Sequence, residues 1–285
     1  MRSAGMRPAT SHQGESMMLN SNPWTMAFKP NPQARMRLFC IPYAGAGASA
    51  YRDWHASIRD DVEVVGIQLP GRESRFSEPP LVSIDDIVGQ LTEVIAQHGD
   101  KPFVLFGHSL GALVSYELTR AIQQLRGSTP RHLIVSGTRA PCCPRRDDPI
   151  HQLDDDTFLD RIKSFNGTPP SLLQDMELMK LFTPLLRADF RAAESYRYVD
   201  RGPIWCPVTV LGGDEDDGVP LDDLSAWSSM CRSRCDRHVF HGDHFFIHKH
   251  KAAVIDIING VFDGLLSQGR GQPSATRGML EEGLI

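Results

Sequence analysis

A serine, a group of carboxylates and a cluster of histidines have the types and spacing that suit nucleophilic acyl chemistry. Ser109 lies in Gly-His-Ser-Leu-Gly (107–111), which matches the pattern Gly-x-Ser-x-Gly. A serine hydroxyl is a weak nucleophile unless a histidine accepts its proton and an acid orients that histidine. If Ser109 attacks an acyl group, other loops of the chain must therefore provide a carboxylate and a histidine.

Four consecutive carboxylates at positions 214–217 follow a β-rich segment and are the candidates for the acid. The spacing Gly-x-x-Asp-x-x-Val, which is usual around the acid of such hydrolases, fits Gly213, Asp216 and Val219. We therefore predict that Asp216 is the acid, with Asp214 as the alternative. The remaining carboxylates are expected to form a solvated turn.

The base is sought among the histidines near the end of the chain, at positions 238, 241, 244, 248 and 250. His244 follows Gly242 in the loop expected after the last strand, so it is the predicted base. The order Ser109, Asp216, His244 is that of α/β-hydrolases.

An acyl-transfer site also needs two backbone N–H groups that stabilise the oxyanion of the tetrahedral intermediate. The amide of Leu110, directly after the serine, is one candidate. The second is the amide of Ala44, in the small-residue loop IPYAGAGASAY (41–51). This loop lacks the Gly-Lys-Ser/Thr of a phosphate-binding loop and the third glycine of a dinucleotide-binding loop, so a nucleotide role is not predicted.

These residues need a framework of strands that end where the chemistry takes place. Short apolar segments alternate with segments of helical spacing, which predicts an α/β-hydrolase fold: a mostly parallel central sheet with helices on both faces. The predicted strands are 36–41, 62–69, 102–106, 132–137, 207–213 and 237–240, and the predicted helices are 49–59, 83–97, one from Ser109, 221–230 and one from about Lys249. Gly107 and Gly111 would permit a tight turn from strand to helix that exposes the Ser109 hydroxyl.

The chain divides into a central catalytic unit and two tails. Residues 1–34 and 267–285 lack periodicity and are predicted to be disordered, whereas 35–266 form the α/β-hydrolase domain. Within this domain, about 145–200 has helical spacing without a strand signal, which predicts a helical insertion between two strands, about where a lid would lie.

Composition narrows the classes of function. The 285 residues carry a formal net charge of −5, and without a basic stripe nucleic-acid binding has no electrostatic support. No segment approaches the roughly 18 apolar residues of a membrane span. Scattered cysteines do not resemble a disulfide framework, so we expect a cytoplasmic protein. Cys231, Cys235, His238 and His241 match no common zinc spacing, and neither a metal nor a cofactor is predicted.

With these residues the chain resembles the type II thioesterases, the stand-alone editing hydrolases of polyketide and nonribosomal peptide synthesis. The resemblance spans roughly 36–265 and is carried by IPYAGAGASAYRDW (41–54), QLPGRESRFSEPP (68–80), GHSLGALVSYEL (107–118), GGDEDDGV (212–219) and FHGDHFFI (240–247). The Pro-Gly-Arg-Glu-x-Arg stretch (70–75) is more specific to this family than the serine motif. Tyr43 in place of a frequent His, Ala46 between the usual glycines and Asp217 in place of Pro depart from the family pattern.

The resemblance implies hydrolysis of acyl groups from the 4′-phosphopantetheine arm of carrier proteins, through an acyl-enzyme on Ser109. It also implies that the insertion at 145–200 forms a mobile lid over an acyl chamber. The apolar residues of the lid either line that chamber or pack the lid onto the domain: Phe158, Phe165, Leu172, Leu173, Met176, Met179 and Phe182. The expected partners are acyl or peptidyl carrier protein domains and small acyl thioesters, with no nucleic-acid or membrane partner, and a monomer is expected. Three arginines are candidates for contact with an acidic carrier surface: Arg72, Arg75 and Arg145.

Other functions remain compatible with the same residues. Within hydrolases, the chain could release medium-chain fatty acids from a fatty acid synthase or cleave unrelated esters. From other classes, it could transfer the acyl group to an amine or alcohol, or serve a synthase as a non-catalytic binding partner. The intact Ser109, Asp216 and His244 argue against the last of these.

Overall fold

In the computed structural model, which describes residues 22–125, 129–165, 167 and 175–268, the strands form one seven-stranded sheet. In chain order they are β1 (Thr25–Met26), β2 (Met36–Ile41), β3 (Val62–Ile67), β4 (Phe103–His108), β5 (His132–Ser136), β6 (Val208–Gly213) and β7 (Cys235–Phe240). Their spatial order is β1-β3-β2-β4-β5-β6-β7, and neighbours are parallel except for β1 with β3. The predicted α/β class with a mostly parallel sheet is confirmed.

Helices connect the strands and cover the sheet. Those of the described residues are α1 (Ile84–Ala96), α2 (Leu110–Gln124), α3 (Asp155–Ser164), α4 (Met176–Ser195), α5 (Leu221–Ser225), α6 (Phe246–Lys249) and α7 (Lys251–Gln268). The start of α1 follows from its sequence, because the Ser83 side chain accepts a hydrogen bond from the Asp86 amide and two aspartates occupy the first turn. In the part of the chain that the structure describes, no helix is both long and apolar enough to cross a membrane.

The inner strands of the sheet are covered on both faces, which explains why they are almost continuously apolar. Every residue of β3, β4, β5 and β6 is buried, as expected for parallel strands packed on two sides. Leu105 shares a hydrophobic cluster with Leu91 of α1 and Leu118 of α2. Its neighbour Val104 points to the opposite face and belongs to a second cluster with Ile258 of α7.

The strand order reverses around β2, and this reversal brings the predicted active-site loops together. The chain passes from β2 to β3 on one side and then returns to place β4 on the other side of β2. Ile41 at the end of β2 pairs with Gly107 of β4, and Gly213 at the end of β6 pairs with Phe240 at the end of β7. The crevice outside the carboxyl ends of the strands at such a reversal is the usual ligand site of an open α/β sheet.

The predicted end of the disordered leader, residue 34, lies too far along the chain. Residues 22–34 have defined structure, and the short strand β1 pairs with Gly66 and Ile67 of β3. Such a pairing joins segments far apart in sequence, and two residues are too few to show strand periodicity. Residues 1–21 lie outside the described residues, and so do 269–285 of the predicted tail, while α7 continues through 267–268.

Two predicted helices are shorter or tighter than expected. Residues 49–59 were predicted as one helix but form two 3-10 turns, Ala48–Tyr51 and Trp54–Ala56. A spacing of three between Tyr51 and Trp54 suits a 3-10 turn as well as an α-helix. The predicted helix 221–230 is α5 followed by a 3-10 turn at Ala226–Ser229.

The predicted lid region is helical where the structure describes it. Between β5 and β6 the described residues form α3 and α4 and contain no strand. Their apolar side chains make a separate cluster that includes Phe158, Met179 and Leu186. Leu172 and Leu173, two of the predicted lid residues, lie outside the described residues.

Candidate active site

The turn between β4 and α2 presents Ser109 in a strained backbone conformation. Ser109 has φ 53° and ψ −118°, a region that costs a non-glycine residue about 1–3 kcal/mol and is typical of functional sites. A Cβ on Gly107 would lie 2.1 Å from the Gly111 carbonyl oxygen, and one on Gly111 would lie 2.2 Å from the Ile41 oxygen. Both glycines of the motif are therefore required for the turn to close against β2.

The loops after β6 and β7 join the predicted acid to the predicted base. His244 Nδ1 lies 2.7 Å from Asp216 Oδ2, and only 4% of the aspartate side chain is exposed. The other carboxylate oxygen, Oδ1, accepts a hydrogen bond of 3.1 Å from the Gly218 amide. Asp216 is thereby held in a fixed orientation, and Nδ1 of His244 carries the proton that it donates, which leaves Nε2 as the basic nitrogen.

The alternative acid, Asp214, has a different partner. Its Oδ1 accepts a hydrogen bond of 2.9 Å from the Gly242 amide and lies 3.3 Å from His241 Nδ1. The hydrogen bond from the Gly242 amide is the main cause that holds the pKa of Asp214 below its usual value. Together with Glu215, these residues form an exposed acidic group, whereas the structure pairs His244 with Asp216.

A second histidine, His108, occupies the centre of the site, although its role could not be read from the sequence. Its ring is fully buried, and the ring centroid lies 5.1 Å from that of His244. His108 Nδ1 is 2.9 Å from Ser136 Oγ of β5. Burial, reinforced by the nearby His244 and His248, holds the pKa of His108 well below 6.5, so this ring is neutral. A neutral neighbour does not oppose the positive charge that a catalytic His244 would acquire.

The loop after β2 places the candidate oxyanion donor Ala44 beside the serine turn. The Ala46 amide donates to the Tyr43 carbonyl oxygen at 3.0 Å, and Gly45 between them has φ +78°. This hydrogen bond and positive φ define a type II turn, with Gly at the position that requires it. Leu110 is the first residue of α2, and the first amides of a helix have no partner within it. Both predicted donors therefore lie at the edge where β2 and β4 end.

Tyr43, which replaces a frequent histidine of the family, packs over the same residues. Its ring contacts those of His108, Phe245 and His248 at centroid distances of 5.7, 5.3 and 5.9 Å. Burial raises the pKa of Tyr43 above its usual value. The aromatic ring thus packs against the loop of the predicted base, and its hydroxyl lies 3.3 Å from His248 Nε2.

On the side of the predicted base, the lid contacts the site at Gly167. A Cβ on Gly167, which lies between α3 and α4, would fall 2.1 Å from the Phe245 ring. Phe245 directly follows His244, so the lid segment lies against the loop of the predicted base. Of the predicted chamber residues, Phe158 and Met179 are fully buried in the lid's own cluster, whereas Met176 is 46% exposed.

The arginines predicted to face a carrier protein have intramolecular partners instead. Arg72 is 2% exposed and pairs with the fully buried Asp189 of α4. Arg75 is 7% exposed, and its guanidinium lies 4.1 Å from the centre of the Trp24 ring. Arg145 Nη2 is 3.0 Å from a carboxylate oxygen of the buried Glu194. Burial therefore contradicts the predicted carrier contact for Arg72 and Arg75, whereas the side chain of Arg145 is 38% exposed.

Known proteins resemble this chain over most of its length. The family model described as "Thioesterase domain" matches residues 36–262. The gramicidin S biosynthesis protein GrsT of Aneurinibacillus migulanus is 42% identical over 237 residues, which cover 83% of this chain and 93% of that protein. Thioesterase PikA5 of Streptomyces venezuelae is 37% identical over 260 residues, which cover 90% of each. The solved structure of the type II thioesterase BorB, from the borrelidin biosynthetic cluster, has a TM-score of 0.78 and 33% identity, with 85% of this chain and 98% of that chain covered.

Proposed function

The chain belongs to the thioesterase family, as a type II member that hydrolyses thioesters, and from this premise we propose that its substrates are acyl groups on carrier proteins. The bond cleaved joins the acyl carbonyl to the sulfur of a 4′-phosphopantetheine arm. The biological role is editing, in which aberrant acyl groups are removed from a polyketide or nonribosomal peptide synthase. Two observations support this role: GrsT is named for gramicidin S biosynthesis, and BorB is described from a biosynthetic cluster.

In the proposed reaction, Ser109 Oγ attacks the thioester carbonyl while His244 Nε2 accepts the hydroxyl proton. The tetrahedral intermediate then expels the pantetheine sulfur, and His244 returns the proton to it. A water molecule, deprotonated by His244, attacks the acyl-serine ester. The carboxylic acid leaves as Ser109 regains its proton.

Asp216 and the two backbone amides support these steps. The carboxylate keeps the Nδ1–H tautomer of His244 and stabilises the imidazolium that forms in each half of the reaction. The amides of Leu110 and Ala44 donate to the oxyanion of both tetrahedral intermediates, at the positive end of α2. No step requires a group beyond those of the chain, the substrate and water.

One observation supports the proposed catalytic role over that of a binding partner without activity. The His244–Asp216 pair of 2.7 Å lies at the same sheet edge as Ser109, whose backbone has a strained φ of 53°. A binding partner without activity would have no use for a strained serine, since strain of this kind lowers stability.

The experiment that tests the proposal measures deacylation of an acetyl-loaded carrier protein by intact mass. The wild type is expected to remove the acetyl group and leave the pantetheine arm attached, and Ser109→Ala is expected to leave the carrier loaded. A fluorogenic oxygen ester of the same acyl length serves as the reference substrate. Retention of the acetyl group on the carrier, with rapid cleavage of the oxygen ester, would contradict the carrier-protein assignment.

Product analysis separates hydrolysis from acyl transfer. Free acetate accounts for all of the acetyl group if water is the acceptor, whereas an amide or ester product would identify a transferase. A preference for octanoyl-loaded over acetyl-loaded carrier, measured as kcat/KM, would favour release of medium-chain fatty acids instead of editing.

A further inference from the structure

A buried ion pair connects the lid helix α4 to the loop that holds the candidate oxyanion donor. Asp189 of α4 is fully buried, and its Oδ1 and Oδ2 lie 2.8 and 2.9 Å from Nη2 and Nη1 of Arg72. The same Oδ2 accepts a hydrogen bond of 2.7 Å from the Gly45 amide. The carboxylate thus has three donors, and one of them is the peptide that follows Ala44.

The Gly45 contact determines which way the turn is oriented. In the type II turn Tyr43–Ala46, the central peptide joins Ala44 to Gly45, and a flip of this peptide converts the turn to type I. The flip would replace the Gly45 N–H facing Asp189 with the Ala44 carbonyl oxygen. Two oxygens would then face each other in a buried place, so the carboxylate stabilises one orientation of this peptide. The Ala44 N–H belongs to the preceding peptide, and its position is fixed because the peptide that follows it is held.

Arg72 completes the attachment and removes a charge that would oppose the reaction. Its Nη1 also donates to the Ala46 carbonyl oxygen at 3.1 Å, so the guanidinium holds the far side of the same turn. An unpaired carboxylate near the Ala44 amide would disfavour the negative charge of the oxyanion. The bidentate pair neutralises that carboxylate, which lets Asp189 hold the loop without an electrostatic cost to catalysis.

Packing makes the same connection through apolar atoms. A Cβ on Gly45 would lie 2.6 Å from Cδ2 of Leu186, one turn before Asp189 in α4. The oxyanion loop is therefore in close contact with α4 at both a polar and an apolar point.

We propose that Asp189 is a positioning residue for the oxyanion hole, through which the lid helix sets the geometry of the Ala44 amide. The inference rests on the proposed function, because it assumes that Ala44 and Ser109 act in acyl transfer. Asp189 touches no reacting atom; it acts through the turn that it holds. Displacement of α4 at Asp189 would weaken oxyanion binding even with the triad intact.

The chain offers a matched control on the same helix. Glu194 is 2% exposed and accepts hydrogen bonds from the Ile150 and His151 amides, so it is also a buried carboxylate that binds a loop. Its contacts lie within the lid region and do not include the loop 41–51. Asp189→Asn and Glu194→Gln each remove one buried negative charge from α4, and they differ in the loop that is released.

The test compares steady-state hydrolysis of a propionyl N-acetylcysteamine thioester with inhibition by butylboronic acid, which forms a tetrahedral adduct on a reactive serine. In Asp189→Asn, kcat is expected to fall ~10- to 100-fold, less than the loss of a whole oxyanion donor, with KM changed less than about threefold. The boronate inhibition constant is expected to rise by the same factor as kcat falls, because both depend on the oxyanion donors. Glu194→Gln should keep kcat within about twofold of the wild type.

A double variant covers the case in which Asp189→Asn does not fold. Arg72→Met with Asp189→Leu replaces the pair by apolar side chains, an exchange that buried ion pairs often tolerate. The folded double variant should show the same parallel loss of kcat and boronate affinity. If neither form folds, the pair is a requirement of the fold and the proposal is overturned. It is also overturned if the Asp189 variants behave as Glu194→Gln does, or if kcat falls while boronate affinity is unchanged.

The same experiment distinguishes failure of this inference from failure of the proposed function. A wild type that resists the boronate, or a Ser109→Ala variant that keeps full activity, would refute the proposed function. Wild-type hydrolysis that depends on Ser109 and is insensitive to Asp189 would refute this inference alone.

Discussion

The orientation of Asp216 makes Asp216→Asn a sharp test of the catalytic assignment. Oδ1 of Asp216 accepts a hydrogen bond from the Gly218 amide at 3.1 Å, and Oδ2 faces His244 Nδ1 at 2.7 Å. In the asparagine variant the amide oxygen must face Gly218, since an NH2 group there would meet another donor. The NH2 group therefore faces His244 and forces Nδ1 to be the acceptor, which places the ring proton on Nε2. That tautomer cannot accept the proton of Ser109.

The size of the expected effect follows from this tautomer. A triad that keeps its geometry but holds the wrong tautomer loses about 10⁴ in kcat, or about 5.5 kcal/mol of barrier. The near-complete burial of the Asp216 side chain limits the help that water can give to the correct tautomer. The assay is kcat on a small acyl thioester, with fold checked by circular dichroism, because the substitution conserves shape.

Asp214→Asn is the matched control, since Asp214 is the alternative acid. Its contacts are to His241 and the Gly242 amide, so the variant should keep kcat within about threefold of the wild type. A loss of less than about tenfold in Asp216→Asn would refute the tautomer argument. An equal loss in Asp214→Asn would refute the choice of acid.

The other predictions concern stability and motion. Burial lowers the pKa of His132 to about 4 from 6.5, so the unfolded chain takes up the proton first as the pH falls, and stability is lost between these two values. Protonation of His132 in the unfolded chain should lower the free energy of unfolding by about 2 kcal/mol between pH 7.5 and 5, measured by urea unfolding. An equal pH dependence in His132→Gln would contradict this prediction. Gly107→Ala should destabilise the protein by about 3 kcal/mol or more, because the added Cβ meets backbone atoms. Gly89→Ala, in open space within α1, is the control and should stabilise the protein by about 0.5–1 kcal/mol in the same assay. A Gly107→Ala variant of unchanged stability would refute the tight turn. Hydrogen exchange should be slower in residues 185–195, which carry the buried carboxylates of α4, than in residues 176–184, and equal exchange in both halves would show that the whole lid helix moves together.

The turn between β4 and α2 could be predicted from the sequence because the residues that determine it are close together in the chain. A buried strand, two glycines at fixed spacing and a helix confine the backbone around Ser109 to one conformation, and each of these features is visible in a short stretch. His244 and Asp216 were identified by their positions after strands, and the paired ends of β6 and β7 account for their meeting. The catalytic roles of these residues stay predictions until variants are measured.

The structure adds contacts between residues that are distant in the sequence. Arg72 and Asp189 are separated by 117 positions, and nothing in the pattern around either residue indicates a buried pair. An arginine in a glycine- and proline-rich stretch is exposed in most proteins, so exposure was the natural expectation. Their burial is explained by two elements, the loop after β3 and helix α4, that meet only in the folded chain.

Short elements were missed for a related reason. Strand β1 has two residues, and its stability comes from pairing with β3 and from contacts such as that of Trp24 with Arg75. The turns at 48–56 bury Tyr51 and Trp54 as a helix would, so hydrophobic spacing alone could not distinguish the two backbones. Patterns of three or four residues predict which side chains are buried better than they predict the hydrogen bonds beneath them.

Trapping of the acyl-enzyme tests whether Ser109 carries the acyl group during turnover. An excess of acetyl-loaded carrier is mixed with the enzyme, the reaction is quenched with acid within a single turnover, and the digested enzyme is mapped by mass. The expected result is one acetyl group on the peptide that contains Ser109, absent from Ser109→Ala. Full hydrolysis without any acetylated enzyme in a quench series across the turnover, or with the acetyl group on another residue, would contradict it.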